Sequence, residues 1–496
     1  MGFRSYVVLL LSVGLMSGCA QQTPEMQLIN DVAEAMGGMR TVEDTESLVI
    51  DGSGSTFNIG QNRTPEETPG VRHEISEFTR KVDFVNGRWR HEQLRTTNYL
   101  TGRPAYDQRH ITALDGDVAF DVASDDTIER VSSLEAKNRK DSLYHNPVGL
   151  IKAAIAEGAT TSSLRQESGQ NVVDVMTVDG DQYTLYVDAE TQLPTKITSA
   201  RYNSNLGDVT FETEFDAYGE TGGLGFEARL TLPRKITRKL DGLVAAEYII
   251  SNVAVNGDVG DLSAPEEASG AETPTPSANV SVEEVSTGIW HLTGQSHHSV
   301  LVEFPEYLVL IEAPQNDTRT LAVIEEAREL QPEKSLRYVI NTHHHFDHSG
   351  GIRAAVSEGL TVITHELNRA FFEDIVGRQH TVLPDALAMN SQPLAIETVP
   401  GDDRYVLESG GQSLEIYPIL NSPHGDTLLM VYFPRERLLV EADVFSPGSP
   451  AAPFAANLLE NIEENNLRVN RVIPIHGDVV DFSELEETVK AEGSSQ

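Results

Sequence analysis

The sequence predicts a β-rich domain, built on an antiparallel sheet, that precedes a layered α/β domain. Three observations predict this organisation. Between residues 47 and 258, short segments of strand-like pattern follow one another and are separated by turn residues. Residues 262–281 are rich in Pro, Ser, Ala and Glu and poor in bulky apolar side chains, which is typical of a linker. Beyond this linker, strand-like and helix-like segments alternate.

The length and the net charge of the chain limit the classes of protein to which it can belong. The chain has 496 residues, which is enough for two or three domains. It carries 37 Lys and Arg against 76 Asp and Glu, so its formal net charge is −39. A nucleic-acid partner is therefore not expected, because a protein that neutralises phosphates needs an excess of basic residues. The single cysteine, Cys19, excludes a disulfide scaffold.

The first 19 residues have the organisation of an export signal. Arg4 precedes an apolar run, residues 6–16, that is too short to span a bilayer. The following Ser-Gly-Cys completes a segment that resembles the lipobox of bacterial lipoproteins. This resemblance implies that residues 1–18 are a signal peptide and that Cys19 is lipidated. We therefore expect a lipid anchor in the bacterial cell envelope, at the outer membrane and facing the periplasm. A plain signal peptide with an incidental cysteine is the alternative.

The β-rich domain is predicted over residues 19–261 and is expected to begin with a short helix over residues 24–36. Residues 172–187 contain two strand-like segments around an Asp-Gly-Asp turn, a pattern that predicts a β-hairpin. One further helix, over residues 144–156, is expected to interrupt the strands. The layered α/β domain is predicted over residues 282–485, before an acidic and polar tail.

Four residues with metal-binding side chains follow a predicted buried strand of the second domain. Residues 337–351 read RYVINTHHHFDHSGG, and the strand enters a loop that contains His343, His345, Asp347 and His348. Alternate residues of an extended loop share a face, so His343 and His345 are expected to reach one metal and the other two a second. His344 and Phe346 point the other way, and packing is the better interpretation for them.

Three more candidate ligands lie later in the chain. His424, Asp443 and His476 each follow a strand-like segment. The pattern over roughly residues 282–482 resembles the signature of the metallo-β-lactamase superfamily, and this resemblance implies an αββα fold with two metal ions. It assigns His343, His345 and His424 to the first metal, Asp347, His348 and His476 to the second, and Asp443 to the bridge between them.

The resemblance also implies a function, that of a binuclear metallohydrolase with two Zn²⁺, iron and manganese being the alternatives. A metal-bridged hydroxide would attack a small ester, lactone, amide or related substrate, and Asp347 would be the catalytic residue that orients it. Because Asp443 can bridge and the domain has no cysteine, the set resembles glyoxalase II, lactonases, RNase Z and alkylsulfatases. The acidity disfavours RNase Z, and the short acidic segment after His476 disfavours glyoxalase II.

Three histidines outside this set are candidates for substrate binding. His297 and His298 precede a strand at the first predicted hairpin of the domain, and His365 follows another strand. Ordinary turn or helix-start positions are the competing interpretation for all three. Glu312, at a strand end near the metal loop, is expected to be structural.

The sequence is compatible with two other functions. The β-rich domain is a candidate for binding a lipid or another hydrophobic ligand, with the metal domain secondary. Alternatively, an iron-bearing centre would make the chain an oxidoreductase. No sequence pattern indicates which small molecule is the substrate, or the oligomeric state.

Overall fold

The computed structural model describes residues 22–97, 106–221, 229–448 and 454–493. The predicted signal peptide and Cys19 lie outside these residues. Within them, no helix is long and apolar enough to cross a membrane.

The N-terminal part of the chain is dominated by strands, as predicted. Their bounds are β1 (Ser47–Phe57), β2 (Val71–Asp83), β3 (Arg88–Thr97), β4 (Asp107–Asp115), β5 (Val118–Val122), β6 (Ile128–Arg130), β7 (Thr160–Glu167), β8 (Gln170–Met176), β9 (Gln182–Asp188), β10 (Pro194–Asn203), β11 (Gly207–Asp216), β12 (Gly219–Glu220), β13 (Thr231–Leu232), β14 (Lys235–Leu240) and β15 (Leu243–Val255). Thirteen of the described strands form one antiparallel sheet in the order β6-β5-β4-β3-β2-β1-β15-β14-β11-β10-β9-β8-β7.

The predicted hairpin is confirmed as β8 and β9, which pair antiparallel. Along β9 the buried residues alternate, and Tyr183, Leu185 and Val187 face the core. This alternation is the period of two that a half-buried strand requires. Gly180 has a φ of +89° in the connecting turn, a conformation that glycine adopts without steric cost.

Helices cover one face of this sheet. They are α1 (Pro24–Ala35), α2 (Met39–Glu43), α3 (Ser133–Tyr144) and α4 (Pro147–Ile155). The leading helix was predicted, and Thr23 caps it by accepting a hydrogen bond from the amide of Met26. The helix predicted over residues 144–156 is confirmed as α4, which begins at Pro147 because Asn146 caps it, whereas the preceding helix α3 was not predicted. Side chains of α1 and α4 pack with those of the strands in one buried cluster.

The predicted linker region contains a single helical turn, α5 (Glu266–Ser269). Its Ala268 is buried with Ile111 and Phe120 of the N-terminal sheet. Arg130 donates a hydrogen bond of 2.6 Å to the carbonyl oxygen of Ala271. This part of the segment therefore lies against the sheet.

The C-terminal part contains two further sheets. The first has the order β16 (Ser281–Ser286), β17 (Ile289–Thr293), β18 (Ser299–Glu303), β19 (Tyr307–Ile311), β20 (Ser335–Ile340), β21 (Thr361–His365) and β22 (Ala395–Val399). The second has the order β23 (Tyr405–Ser409), β24 (Gln412–Pro418), β25 (Leu429–Phe433), β26 (Leu438–Glu441), β27 (Arg471–Pro474) and β28 (Val480–Asp481).

Helices flank the two sheets on their outer faces. They are α6 (Asp317–Leu330), α7 (Phe346–Ser349), α8 (Ile352–Ser357), α9 (Arg369–Gly377), α10 (Ala386–Met389), α11 (Ala455–Glu464) and α12 (Phe482–Gly493). Ile311 of one sheet and Val431 of the other belong to a single buried cluster, so the sheets pack face to face. Separate clusters join α6, α8 and α9 to the first sheet and α11 and α12 to the second. The layers follow the predicted αββα order.

Candidate metal centre

The metal-loop histidines are placed by a buried parallel strand. β20 ends at Ile340, and the chain then turns through His343 and His345 into the short helix α7, which contains His348. All three imidazoles are at most 1% exposed. A site at the carboxyl end of a parallel strand, on a loop held by a rigid sheet, is the common location for functional groups in α/β folds.

A first cluster consists of His343, His345, His424 and Asp443, whose ligand-capable atoms all lie within 4.8 Å of one another. His424 Nε2 is 3.0 Å from His345 Nδ1. Asp443 Oδ2 is 3.1 Å from His424 Nε2 and 3.5 Å from His343 Nε2. His343, His345 and His424 were predicted to hold the first metal and Asp443 to bridge the two metals, and the structure brings these four residues together.

A second cluster lies beside the first and consists of His297, His348 and His476. Nε2 of His348 is 3.3 Å from Nε2 of His476. Asp443 contacts this cluster too, with its Oδ1 2.8 Å from His476 Nε2 and its Oδ2 3.2 Å from His348 Nε2. The carboxylate of Asp443 therefore lies between the two clusters, in the position predicted for the bridge. Its backbone φ of +65° is uncommon for a non-glycine residue.

Asp347 lies next to the second cluster instead of within it. Its Oδ2 is 3.3 Å from His297 Nε2, and its Oδ1 accepts a hydrogen bond of 2.5 Å from Gln61 Nε2. Burial alone would raise the pKa of Asp347, but the hydrogen bond with His297 and the charge of His348 together hold this pKa below its ordinary value. Asp347 is thus an ionised hydrogen-bond acceptor beside the second cluster, and its assignment to the second metal stays a prediction.

Hydrogen bonds to the outer ring nitrogens leave the inner nitrogens free to bind a metal. His345 Nε2 is 2.8 Å from the carbonyl oxygen of Asn62, and His476 Nδ1 is 2.9 Å from that of Ser296. A carbonyl oxygen can only accept, so both outer nitrogens carry the proton. The inner nitrogens, His345 Nδ1 and His476 Nε2, face the clusters as lone-pair donors.

Burial also keeps the histidines of the first cluster in the neutral form that binds a metal. It lowers the pKa of His343 well below the usual value and that of His345 to about 4, so both imidazoles are neutral near pH 7. Nε2 of His343 is buried and has no hydrogen-bond partner among the described residues. Neutral imidazole with carboxylate is the donor set that Zn²⁺ prefers, and the residues present therefore fit this metal.

Glu312 fixes the orientation of the second cluster. It is fully buried at the end of β19, with a φ of +70°. Its Oε1 accepts a hydrogen bond of 2.7 Å from the amide of Thr342, and its Oε2 lies 2.8 Å from His348 Nδ1. The sequence predicted a structural residue, and the structure shows in addition that its carboxylate holds a ligand imidazole.

Substitution of Glu312 by Gln is expected to lower the affinity of the second metal site on the order of 10- to 100-fold. The amide retains the size of the side chain but loses the charge that accepts the His348 proton. Competition with a chromophoric chelator measures this affinity. Glu303→Gln, at the end of the neighbouring strand, is the control because Glu303 pairs with Lys334 and not with the centre. Equal affinities in both variants would contradict this role.

A loop of the N-terminal domain covers the metal loop. This covering loop, residues 58–70, joins β1 to β2. Besides the contacts of Gln61 and Asn62, the carbonyl oxygen of Gly60 accepts a hydrogen bond of 3.0 Å from the amide of Phe346. Arg63 forms an ion pair with Asp426. No local sequence signal marks these residues, since their role depends on a contact across nearly 300 positions of the chain.

The other predicted site residues are placed outside the clusters. His298 Nδ1 is 3.0 Å from His291 Nε2, and His365 Nδ1 accepts a hydrogen bond from the amide of Leu367 at the start of a 3₁₀ helix. Their substrate contacts stay predictions. His344 Nδ1 bonds the hydroxyl of Thr427, in agreement with a packing role.

One family model and a set of solved structures match the C-terminal part of the chain. Residues 292–454 match the model of the metallo-beta-lactamase superfamily. A metallo-beta-lactamase from Pontibacter korlensis is 21% identical, over 43% of this chain and 98% of that chain, with a TM-score of 0.33. Another from Hirschia baltica is also 21% identical, over 42% of this chain and 96% of that chain, with a TM-score of 0.33. No curated protein matches the chain.

The family match begins within β17 and extends past Asp443 to the start of α11. It therefore includes the metal loop and all but one of the clustered residues, His476. The four layers described above are those of the matched family. The C-terminal domain thus has the metallo-β-lactamase fold, and residues 292–454 match the model of that superfamily.

Proposed function

We propose that this chain is a zinc-dependent hydrolase that acts on a small ester, lactone, amide or related substrate. The observation that carries the proposal is the position of Asp443, whose one carboxylate contacts imidazoles of both clusters. Two sites that share a carboxylate hold a pair of cations close together. Zn²⁺ supplies Lewis acidity there and lowers the pKa of a coordinated water.

The residues of the chain have defined roles in this proposal. His343, His345 and His424 hold one ion, and His348 and His476 hold the other. His297 converges on the second ion, a role that the sequence did not assign to it. Asp347, which its lowered pKa keeps ionised, would orient the attacking water by accepting a hydrogen bond at a carboxylate oxygen. Gln61 and His297 fix the orientation of this carboxylate through its two oxygens.

Metal analysis together with a substrate panel tests the proposal. We expect about two equivalents of zinc in the purified chain and turnover of at least one member of a panel of lactones, esters, β-lactams and sulfate esters. His343→Ala should abolish turnover, whereas His110→Gln, which removes an imidazole from the N-terminal sheet, should not change it. Less than one equivalent of metal, or unchanged hydrolysis by His343→Ala, rejects the proposal. Iron in place of zinc would favour an oxidoreductase.

We also propose that Cys19 carries the lipid anchor and places the enzyme at the outer membrane, facing the periplasm. The support is the apolar run followed by Ser-Gly-Cys at the start of the chain. Labelled palmitate should be incorporated into the wild-type chain and not into Cys19→Ser, and the label should sediment with outer-membrane vesicles. A wild-type chain without label would contradict the anchor.

A further inference from the structure

A cavity lies on the inner face of the N-terminal sheet, beneath α3 and α4. Its walls are mostly apolar, with Ile50, Val82, Phe215, Ile250 and Val253 among the lining side chains. About 180 Å³ is open to the centres of water molecules. One water needs about 10–15 Å³ on this measure, so the cavity has room for roughly a dozen waters. An acyl chain of roughly a dozen carbons would occupy a comparable space.

Two arginines and a histidine are exceptions to this apolar lining. Arg80 and His91 lie on the adjacent strands β2 and β3, Arg238 lies on β14 beyond β1 and β15, and all three line the cavity. The guanidinium carbons of Arg80 and Arg238 lie 5.2 and 5.7 Å from the centre of the Tyr248 ring, so both cations are close to the same aromatic side chain. The cavity therefore has a cationic end and an apolar remainder.

Within the part of the chain that the structure describes, neither arginine has an anionic partner. No Asp or Glu of these residues forms an ion pair with Arg80 or Arg238, although Arg88, Arg90, Arg109 and Arg201 of the same sheet each have such a pair. Nε of Arg238 and Nδ1 of His91 are buried, and no described residue forms a hydrogen bond with either atom. Burial and the neighbouring Arg238 lower the pKa of Arg80 to about 10, which leaves it charged near pH 7. Two uncompensated cations in an apolar cavity are costly unless a bound anion completes them.

We propose that this cavity binds a single-chain amphiphile with a carboxylate head, a fatty acid of about ten to fourteen carbons. The carboxylate lies between Arg80 and Arg238, where guanidinium forks donate paired hydrogen bonds to its two oxygens. The acyl chain lies along the apolar wall. The charge of the arginines selects the head group, and the size of the cavity selects the chain length. This assignment does not depend on the metal centre or on hydrolysis.

The chain contains its own reporter for this binding. It has two tryptophans, of which Trp89 lines the cavity and Trp290 is buried in the other domain. In a Trp290→Phe background, a bromine-labelled dodecanoate should quench the fluorescence of Trp89. Unlabelled dodecanoate should displace the labelled acid at a concentration at least tenfold lower than dodecanol requires. Dodecyltrimethylammonium should not displace it. Absence of quenching, or equal affinity for the acid and the alcohol, overturns the proposal.

Variants locate the head group. Arg238→Met should weaken dodecanoate binding at least tenfold and leave dodecanol binding unchanged, whereas Arg238→Lys should retain part of the preference for the acid. Arg90→Met is the matched control, because Arg90 is next to His91 on β3, on the opposite face, and pairs with Glu92. Equal loss in Arg90→Met and Arg238→Met would overturn the assignment. If Arg238→Met fails to fold, the comparison of acid with alcohol on the parent chain decides alone.

The test of fatty-acid binding can be distinguished from the test of the proposed hydrolase activity. The titration is run with and without a chelator, and also in the His343→Ala variant. Unchanged dodecanoate binding there would support a site that is independent of the metal. Loss of binding on metal removal would place the fatty acid at the metal centre and overturn the cavity assignment.

Discussion

Replacement of Asp443 by Asn is expected to reduce the metal content from two equivalents to one or fewer and to reduce hydrolysis on the order of a thousandfold. The carboxylate contacts four imidazoles, two in each cluster. An amide has almost the same shape but carries no charge and offers a single oxygen acceptor. The stabilisation of transition-state charge by paired metals is worth several kcal/mol, and each 1.4 kcal/mol is a factor of ten in rate.

Metal analysis after gel filtration, with initial rates on the best substrate of the panel, measures both effects. Asp403→Asn, a change at an exposed loop carboxylate, is the control and should retain the metal and the rate. Because Asp443 contacts four histidines, a thermal unfolding curve should accompany the measurement. A folded Asp443→Asn protein with two equivalents of metal would show that this carboxylate is not the bridge.

Replacement of Gly60 by Val is expected to lower the metal affinity on the order of 10- to 100-fold while the N-terminal sheet remains folded. Gly60 has a φ of +75°, and a Cβ atom there would lie 2.3 Å from the ring of Phe346. The covering loop must then move away from the metal loop. This movement would withdraw the Asn62 carbonyl oxygen from His345 and the Gln61 amide from Asp347.

The same covering loop offers a matched control. Gly70 lies at its other end, and a Cβ atom there would meet nothing within 4 Å. Gly70→Val should therefore retain the metal affinity of the parent chain. Far-UV circular dichroism checks that both variants keep the sheet. If Gly60→Val binds metal as tightly as Gly70→Val, the covering loop has no part in holding the ligands.

The sequence predicted those features whose signal lies within a short segment of the chain. His343, His345 and His348 are close in the chain, and one strand end brings them together. His424, Asp443 and His476 were predictable because each follows a strand, and strand ends of one sheet lie near one another. The hairpin of β8 and β9 was predictable for the same reason, since its turn residues and its alternation lie within one short segment.

The contacts that the sequence did not predict are those that depend on tertiary packing. Asn62 acts through its backbone carbonyl, which is present in every residue type and leaves no signature. The sequence assigned Asp347 to the second cluster, but the actual position of its side chain depends on Gln61, which belongs to another domain. His297 was recognised as close to the site and not as a member of the cluster, because the loop before β18 has no periodicity that determines where its side chains point.

β1 has a consequence for how the two proposed sites would work together. Thr56 at its end lines the cavity, and Gln61, five residues later, contacts Asp347. Five residues span at most about 18 Å. Any displacement of β1 that accompanied filling of the cavity would therefore also move Gln61 and the carboxylate of Asp347 that it contacts.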